Sequence, residues 1–543
     1  MSVSAHLPVA MVALPMLTAI VCLLLGAASR GKDEDVLQRQ RQRQRQRWIG
    51  GLSLLLLVGL SAVLLQQTAD GRVFVYRLAN WPSPFAIALV VDRLSAIMVS
   101  LTATLCLFVH LAAARGKDAR GRFFHPLLQL QVMGLCGAFM TGDLFNLFVF
   151  FEILLIASYA LLVFGDGTHR TRASLHYVAL NLVGSALFLI AIGTLYGMLG
   201  TLNMADLVAR AAQVSPADAP VVRAAGGLLL VVFGLKAAIV PMGLWLPPTY
   251  HAATTPVSAL FAIMTKVGVY AIIRIFIPMF GPQQGAVAGV ADPWILGLGL
   301  ATLALGTLGA LSATEFKRMV TFLVVASVGT QLTSVGLFTE QGLAAATFYI
   351  VHSTFLTAAL FLLAGAIIHQ RGELGGRLSA GPVMYQGRLL GLLFLVAALS
   401  AAGLPPLSGF VSKALILAAT PAAWKAVVWT VVLVTSFLLL IQLSRVGSVL
   451  FWNLAGDDPP KGPRPGPNDS LVPAVVLLSF SVVLAAAAGP LDDFTRATAT
   501  QLYDRDAMIE RVMTDAQPPP KTRRGDPPPT PHGFARRPGQ EAP

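Results

Sequence analysis

Charge is scarce in this 543-residue chain: Asp, Glu, Lys and Arg together make up 12% of it, about half of what a soluble protein of this size carries. That scarcity excludes a soluble multidomain protein. The three cysteines, Cys22, Cys106 and Cys136, all lie in apolar runs, so neither a disulfide framework nor a cysteine metal site is indicated. No CxxC, HExxH, GxGxxG or P-loop pattern stands where it would support a cofactor, metal or nucleotide site. The loops hold no carboxylate pair at hydrolase spacing and no nucleophile beside a base, so no enzyme active site is expected. The net charge of +13 needs no nucleic-acid partner, because it concentrates in loops in the way the positive-inside rule describes.

What the chain has is apolar length. Hydrophobic residues make up 55% of it, in runs long enough to cross a bilayer core of about 30 Å. The pattern predicts an all-α polytopic membrane protein of about fourteen spans, at roughly 7–29, 48–66, 91–114, 124–141, 143–165, 174–200, 221–243, 256–280, 293–312, 318–338, 342–368, 389–418, 425–452 and 471–490. No basic stretch precedes the first, which therefore reads as a retained helix and not a signal peptide. The odd-numbered loops collect the basic residues, among them Arg39–Arg47, Arg115, Lys117, Arg120, Arg122, Arg170, Arg172, Lys317, Arg371, Arg377 and Arg388. The even loops hold only Arg72, Arg77, Arg210, Arg223 and Lys425. This bias places both termini in the periplasm of a bacterial inner membrane.

The expected organisation is two helices with an Arg/Gln-rich cytoplasmic loop and a periplasmic segment (1–90), a third helix and its loop (91–123), a first repeat (124–280), a second, inverted repeat (293–452), a loop and last helix (453–490), and a polar, Pro-rich, disordered tail (491–543). The alternating tract Arg39–Arg47 reads as a solvated loop that fixes orientation, with contact to anionic lipid head groups as the functional alternative.

A charged group in mid-membrane costs about 2.5–3.5 kcal/mol on insertion scales. Glu152, Lys236, Lys266 and Lys413 each bear that cost, deep in FFEILLIAS, FGLKAAIVP, IMTKVGVY and GFVSKALIL. Each must face a partner or water, as a structural ion pair or as part of a relay, and four such groups on four helices favour the relay. Pro241 follows Lys236, and Pro405-Pro406 precedes Lys413. Helices broken at corresponding places in two halves point to ion sites built from inverted repeats. If Glu152 faces Lys236, their pairing holds the lysine charged, and separating them sends its proton on toward Lys266. His352, beside Ser353 and Thr354, suits the same relay or a hydrogen-bonded core position. His251 reads as a structural residue or a cytoplasmic access group. Asp92 and Asp143 read as helix caps or as the lining of an exit.

These same segments resemble the antiporter-like membrane subunits shared by respiratory complex I and the multisubunit Mrp-type cation/proton antiporters, in particular the D-type subunits of the latter. The resemblance rests on TGDLFNLFVFFEILLIASYALLVFG (141–165), FGLKAAIVPMGLWLP (233–247), TPVSALFAIMTKVGVYAIIR (255–274) and GLPPLSGFVSK (403–413). It implies a fourteen-helix core with two inverted five-helix repeats, and a proton path through Glu152, Lys236, Lys266, His352 and Lys413. It also implies a hetero-oligomer with other membrane subunits that exchanges Na⁺ or K⁺ for protons, without a cofactor. The alternatives are a proton-pumping subunit of complex I or a related hydrogenase, and a scaffold that transports nothing. Two positions depart from relatives: Pro248 stands where many carry an acid, and MVTFLVVASVGTQL follows Lys317-Arg318 in place of an aromatic-Ser pattern. Both bear on the cytoplasmic access route.

Overall fold

The structure, a computed structural model of the chain, describes residues 6–27, 36–81, 83–85, 87–121, 123–165, 167–452 and 470–514. Backbone groups in lipid have no water to bond, so a spanning chain must satisfy them within helices, and the described chain is almost wholly helical. It opens with α1 (Leu7–Ala27) and α2 (Val36–Ala69), then a two-stranded hairpin of β1 (Phe74–Arg77) and β2 (Ala88–Val91), paired antiparallel with Phe74 opposite Val91. Next come α3 (Arg93–Ala113), α4 (Phe124–Met140), α5 (Leu144–Val163), α6 (Thr168–Leu199), the short helix α7 (Met204–Ala211) and α8 (Ala219–Ala237). After a break follow α9 (Leu246–Ala252), α10 (Thr255–Leu260) and α11 (Met264–Phe280). The second half runs through α12 (Asp292–Ser312), α13 (Phe316–Val335), α14 (Glu340–Gln370), α15 (Gly387–Ala402), α16 (Ser408–Ala418) and α17 (Ala422–Gly447). It closes with α18 (Val472–Ala486), α19 (Ala488–Tyr503) and α20 (Arg505–Thr514).

This is a multi-pass membrane protein. Among the described residues, 11 spans are long and apolar enough to cross a bilayer, or up to 12 with the pair α18–α19, which bends by 83°. The expected count of fourteen would also need the short apolar helices α4, α15 and α16. Every residue of α11 is buried, and most of α13 and α14 are too, so these form the centre of the bundle. By contrast α1, α2, α6 and α17 turn apolar faces outward.

Connections alternate between two ends. At one, Leu144 N–H bonds Leu202 O (2.9 Å) and Met204 N–H bonds Gly142 O (2.8 Å). At the other, the turn between α9 and α10 receives Lys117 (Nζ to Thr255 Oγ1, 3.1 Å), Arg170 (Nε to Ala252 O, 3.0 Å) and Lys317 (Nζ to His251 O, 2.7 Å, and to Ala253 O). The second end is the one rich in basic residues, in line with the loop reading.

Two expectations are corrected. The Arg39–Arg47 tract is not a loop; it forms the first turns of α2. A strict alternation of two long straight-chain residues contains no helix breaker, and both types favour helix. Within 491–543, residues up to 514 are helical and seated on the bundle. Thr495, Thr498, Ala499 and Leu502 recur at helical spacing and are buried. Arg93 Nη1 also bonds Ala497 O (3.2 Å), Arg77 Nη2 bonds Val512 O (2.9 Å) and Thr500 Oγ1 bonds Glu340 Oε2 (2.9 Å). The remainder of that tail, like the whole of 453–469, lies outside the described residues.

Candidate functional site

Both proline-marked helices are broken. α8 ends at Ala238, whose φ of 65° is left-handed, and α15 ends at Gly403, whose φ is 83°. The backbone groups freed at the first break are taken up by protein, as a membrane requires. Trp245 Nε1 donates to Leu235 O (3.1 Å), and Val240 N–H donates to Thr302 Oγ1 (3.1 Å).

Each break presents the carboxyl end of a half-helix, where the backbone dipole carries about half a negative charge, and each has a lysine. Lys236 is in the last turn of α8 and is 6% exposed. Lys413 lies beyond its break, on α16, and reaches back: its Nζ donates to Ala402 O (2.9 Å), Ala401 O (3.2 Å) and Ser436 Oγ (2.9 Å). The terminal carbonyls of α15 thus receive an ammonium directly, whereas Lys236 belongs to its own half-helix and points its Nζ at α6.

Glu152, on α5, does not touch Lys236 directly; among the described residues no ion pair joins them. Helix α6 lies between. Ser185 Oγ donates to Glu152 Oε1, and one turn away Asn181 Oδ1 accepts from Lys236 Nζ at 3.2 Å. The Phe151 ring lies 5.9 Å from the same Nζ, within cation–π range. In place of the expected direct pair, each charge bonds a different polar side chain of α6, four residues apart. The residue types alone gave no reason to single them out, but their i,i+4 spacing in the otherwise apolar stretch NLVGSALFLI was a readable signal.

Lys266 on α11 is fully buried, with one long contact to its neighbour Thr265 Oγ1 (3.5 Å). Its helix meets the end of α8 backbone to backbone. A Cβ on Gly268 would lie 2.4 Å from Ala237 N and 2.8 Å from the Lys236 carbonyl carbon, so only glycine allows this approach.

His352 on α14 is 3% exposed, and its Nδ1 is hydrogen-bonded to Ser408 Oγ (2.8 Å) at the start of α16. A cavity of about 30 Å³ joins it to Lys413, with Ser327, Thr330, Ser353 and Ser436 in its walls. That is room for one or two waters with several polar partners. Gln331 Nε2 donates to Ser353 Oγ (2.9 Å) on the same side. Gly409 makes the junction close: a Cβ there would stand 1.9 Å from Ser400 O and 3.3 Å from His352 Cε1. Of the five groups, Glu152 and Lys413 are partly exposed at the bundle surface, whereas Lys236, Lys266 and His352 are buried.

The remaining candidates lie at the two ends. Asp143 caps α5, accepting from Asn146 N–H (2.8 Å), and burial pushes its carboxyl above the usual range. Asp92 caps α3 through Ser95 N–H (2.9 Å) and also pairs with Arg274 of α11 (2.5 and 2.8 Å). His251 Nε2 lies 2.9 Å from Glu315 Oε2 at the basic end, with both side chains open to solvent. Nearby, Asp118 accepts Arg47 (Nε and Nη2, both 2.7 Å) and His125 (2.9 Å). Burial would raise that carboxyl, but the bonds from Arg47 and His125 outweigh it and hold it down at about 2.

A helical bundle with broken helices and buried lysines defines a class, and comparison with known proteins agrees. Residues 141–440 match the family described as NADH:quinone oxidoreductase/Mrp antiporter, TM, and the chain belongs to that family. Within it, the chain groups with the D-type subunits of antiporters. It is 39% identical over 502 residues to the probable K(+)/H(+) antiporter D-type subunit of Rhizobium meliloti, covering 86% of this chain and 92% of the relative. It is 34% identical over 482 residues to the Na(+)/H(+) antiporter D-type subunit of Alkalihalophilus pseudofirmus, covering 86% and 94%. A chain in the solved Mrp complex from Dietzia sp. DQ12-45-1b superposes with a TM-score of 0.81 at 28% identity, covering 94% of this chain and 100% of that one.

Proposed function

We propose that this chain is the proton-conducting D-type subunit of a multisubunit monovalent cation/proton antiporter, passing protons along Glu152, Lys236, Lys266, His352 and Lys413. The observation that carries this reading is the spacing of the charges. One carboxylate and three lysines, each on a different helix, are interleaved with Ser185, Asn181, Ser408, Ser436 and a water-sized polar cavity. Hydroxyls, amides and water can both accept and donate, so they can hand a proton between groups that do not touch. A structural lock would instead bring the charges into direct contact.

In this reading Asn181 and Ser185 couple Glu152 to Lys236, and the close approach at Gly268 sets the end of α8 against the helix that carries Lys266, the next acceptor. The cavity between His352 and Lys413 carries it through the second half. The His251–Glu315 pair is the access point at the basic end, with Lys317 holding the adjacent turn in place. Asp143 supports the fold as a cap. The chain is taken to have fourteen spans, with α4–α11 and α12–α17 as inverted repeats and both termini periplasmic in a bacterial inner membrane. Its partners are the other membrane subunits of the complex. Relatives carry names with either Na⁺ or K⁺, so both ions belong in the assay.

Everted vesicles containing the whole complex, followed by proton flux on addition of NaCl or KCl, test the proposal. Glu152→Gln and Lys236→Ala are each expected to abolish exchange while the complex still assembles. Wild-type exchange from either variant would leave the chain a scaffold. Proton flux driven by NADH and indifferent to both cations would instead place it with complex I.

A further inference from the structure

On a helix, the Arg-Gln alternation sorts itself by residue type, because four-residue spacing sets like above like. Gln42 and Gln46 form one stripe and face α1, where Gln46 Nε2 donates to Cys22 O (2.8 Å) and Gln42 to Leu25 O. Arg43 and Arg47 form another, at the head of a groove of about 860 Å³ between α2 and α3. Below them its wall is mostly apolar, with Trp48, Leu52, Leu55 and Leu107, and His110 is the polar exception. Trp48 and Leu52 are 74% and 68% exposed, so the groove is open to the surroundings of the bundle. Arg43 to Leu55 spans about 18 Å along the helix, enough for a head group and the upper part of an acyl chain.

Among the described residues the charge at the head is unbalanced. Arg47 is engaged with Asp118, but Arg43 has no hydrogen-bond or ion-pair partner among the described residues. The first turn of α2 holds no acid, and it is the positive end of the helix dipole. A cationic head above an aliphatic wall calls for a ligand with a negative phosphate and an attached hydrocarbon. A free phosphate would engage the arginine but make no use of the aliphatic wall beneath it, and a neighbouring apolar helix would leave Arg43 unpaired.

We propose that this groove binds an anionic phospholipid, its phosphate on Arg43 and the exposed part of the Arg47 fork, its acyl chain along Leu52, Leu55 and Leu107. The tract then anchors the first two helices to a specific lipid as well as setting their orientation.

The test uses the assembled complex purified from its own membrane in mild detergent, with retained lipid measured by mass spectrometry and phosphatidylglycerol or phosphatidylcholine then titrated back. Wild type should retain the anionic lipid and prefer phosphatidylglycerol. Arg43→Gln should weaken that binding about tenfold or more, the loss expected for one charge-assisted contact. Leu55→Trp, which fills the aliphatic wall, should expel the lipid as well. Arg45→Gln, on the same turns but off the groove, should retain it. Equal retention by wild type and Arg43→Gln would overturn the proposal, as would equal losses from Arg43→Gln and Arg45→Gln. The native cysteines are buried, so a crosslinker on Leu52→Cys reports the occupant directly. Lipid adducts support the site, and adducts to a helix of another subunit refute it.

Discussion

Asn181→Leu separates a relay from a scaffold most cleanly, because it removes one amide and leaves every charge in place. In the structure the Lys236 ammonium has two favourable neighbours, Asn181 Oδ1 at 3.2 Å and the Phe151 ring at 5.9 Å. A hydrogen bond to a charged group contributes about 1.5–3 kcal/mol, and a cation–π contact at this distance less. Losing the amide therefore shifts the protonation equilibrium toward the neutral lysine by roughly 10- to 150-fold at about 1.4 kcal/mol per decade. The bond is at the long end of its range, so the lower figure, about tenfold, is the expectation. If each turnover passes through protonated Lys236, exchange per assembled complex falls by up to that factor. The assay is dye-reported proton flux in everted vesicles on adding NaCl or KCl, normalised to assembled complex. Wild-type flux per complex in Asn181→Leu would refute the mediated coupling. A scaffold predicts the opposite split, with less complex assembled but no loss of rate in what remains.

Further outcomes follow from other sites. Gly409→Ala drives a methyl into Ser400 O, and overpacking of this kind costs about 1–3 kcal/mol; the purified complex should melt lower and exchange should be lost. Glu315→Gln breaks a solvent-open pair with His251 that is worth at most about 1 kcal/mol, so melting should hold while exchange falls severalfold; an unchanged rate removes the pair from the path. The Asp118 carboxyl titrates at about 2 in the folded protein against an ordinary 3.8. Its contribution, on the order of 2 kcal/mol, is present above roughly pH 4 and lost as pH falls toward 2. Melting of the complex against pH should show that acid limb, and Asp118→Asn should flatten it and lower stability at neutral pH.

Much of this was legible because the membrane makes charge conspicuous. An ion in an apolar run stands out on cost alone, which singled out Glu152, Lys236, Lys266 and Lys413 without reference to fold. Prolines marked both breaks, since a missing N–H cannot be hidden in lipid. Asn181 and Ser185 were less legible because neutral polar residues cost little in a membrane helix and recur there for packing. Glu315 was lost among loop residues, where charge carries no penalty. The helical state of the Arg-Gln tract was obscured by composition, since polar low complexity reads as loop until a neighbouring helix supplies acceptors such as Cys22 O. The amphipathic face of α19 was missed because Thr495, Thr498 and Ala499 are small and only weakly apolar, and the helix is short.

If the proposed path is right, one carboxylate and three lysines share it, and that inequality has a kinetic consequence. With every lysine protonated it would carry two uncompensated positive charges. Two unit charges about 10 Å apart at an effective dielectric of 20 repel by about 1.7 kcal/mol, more than a tenfold effect on occupancy. A proton arriving at one lysine therefore makes its neighbours poorer hosts, and occupancy along the file becomes anticorrelated. Such a row would act as a turnstile, in which discharge at one end favours admission at the other.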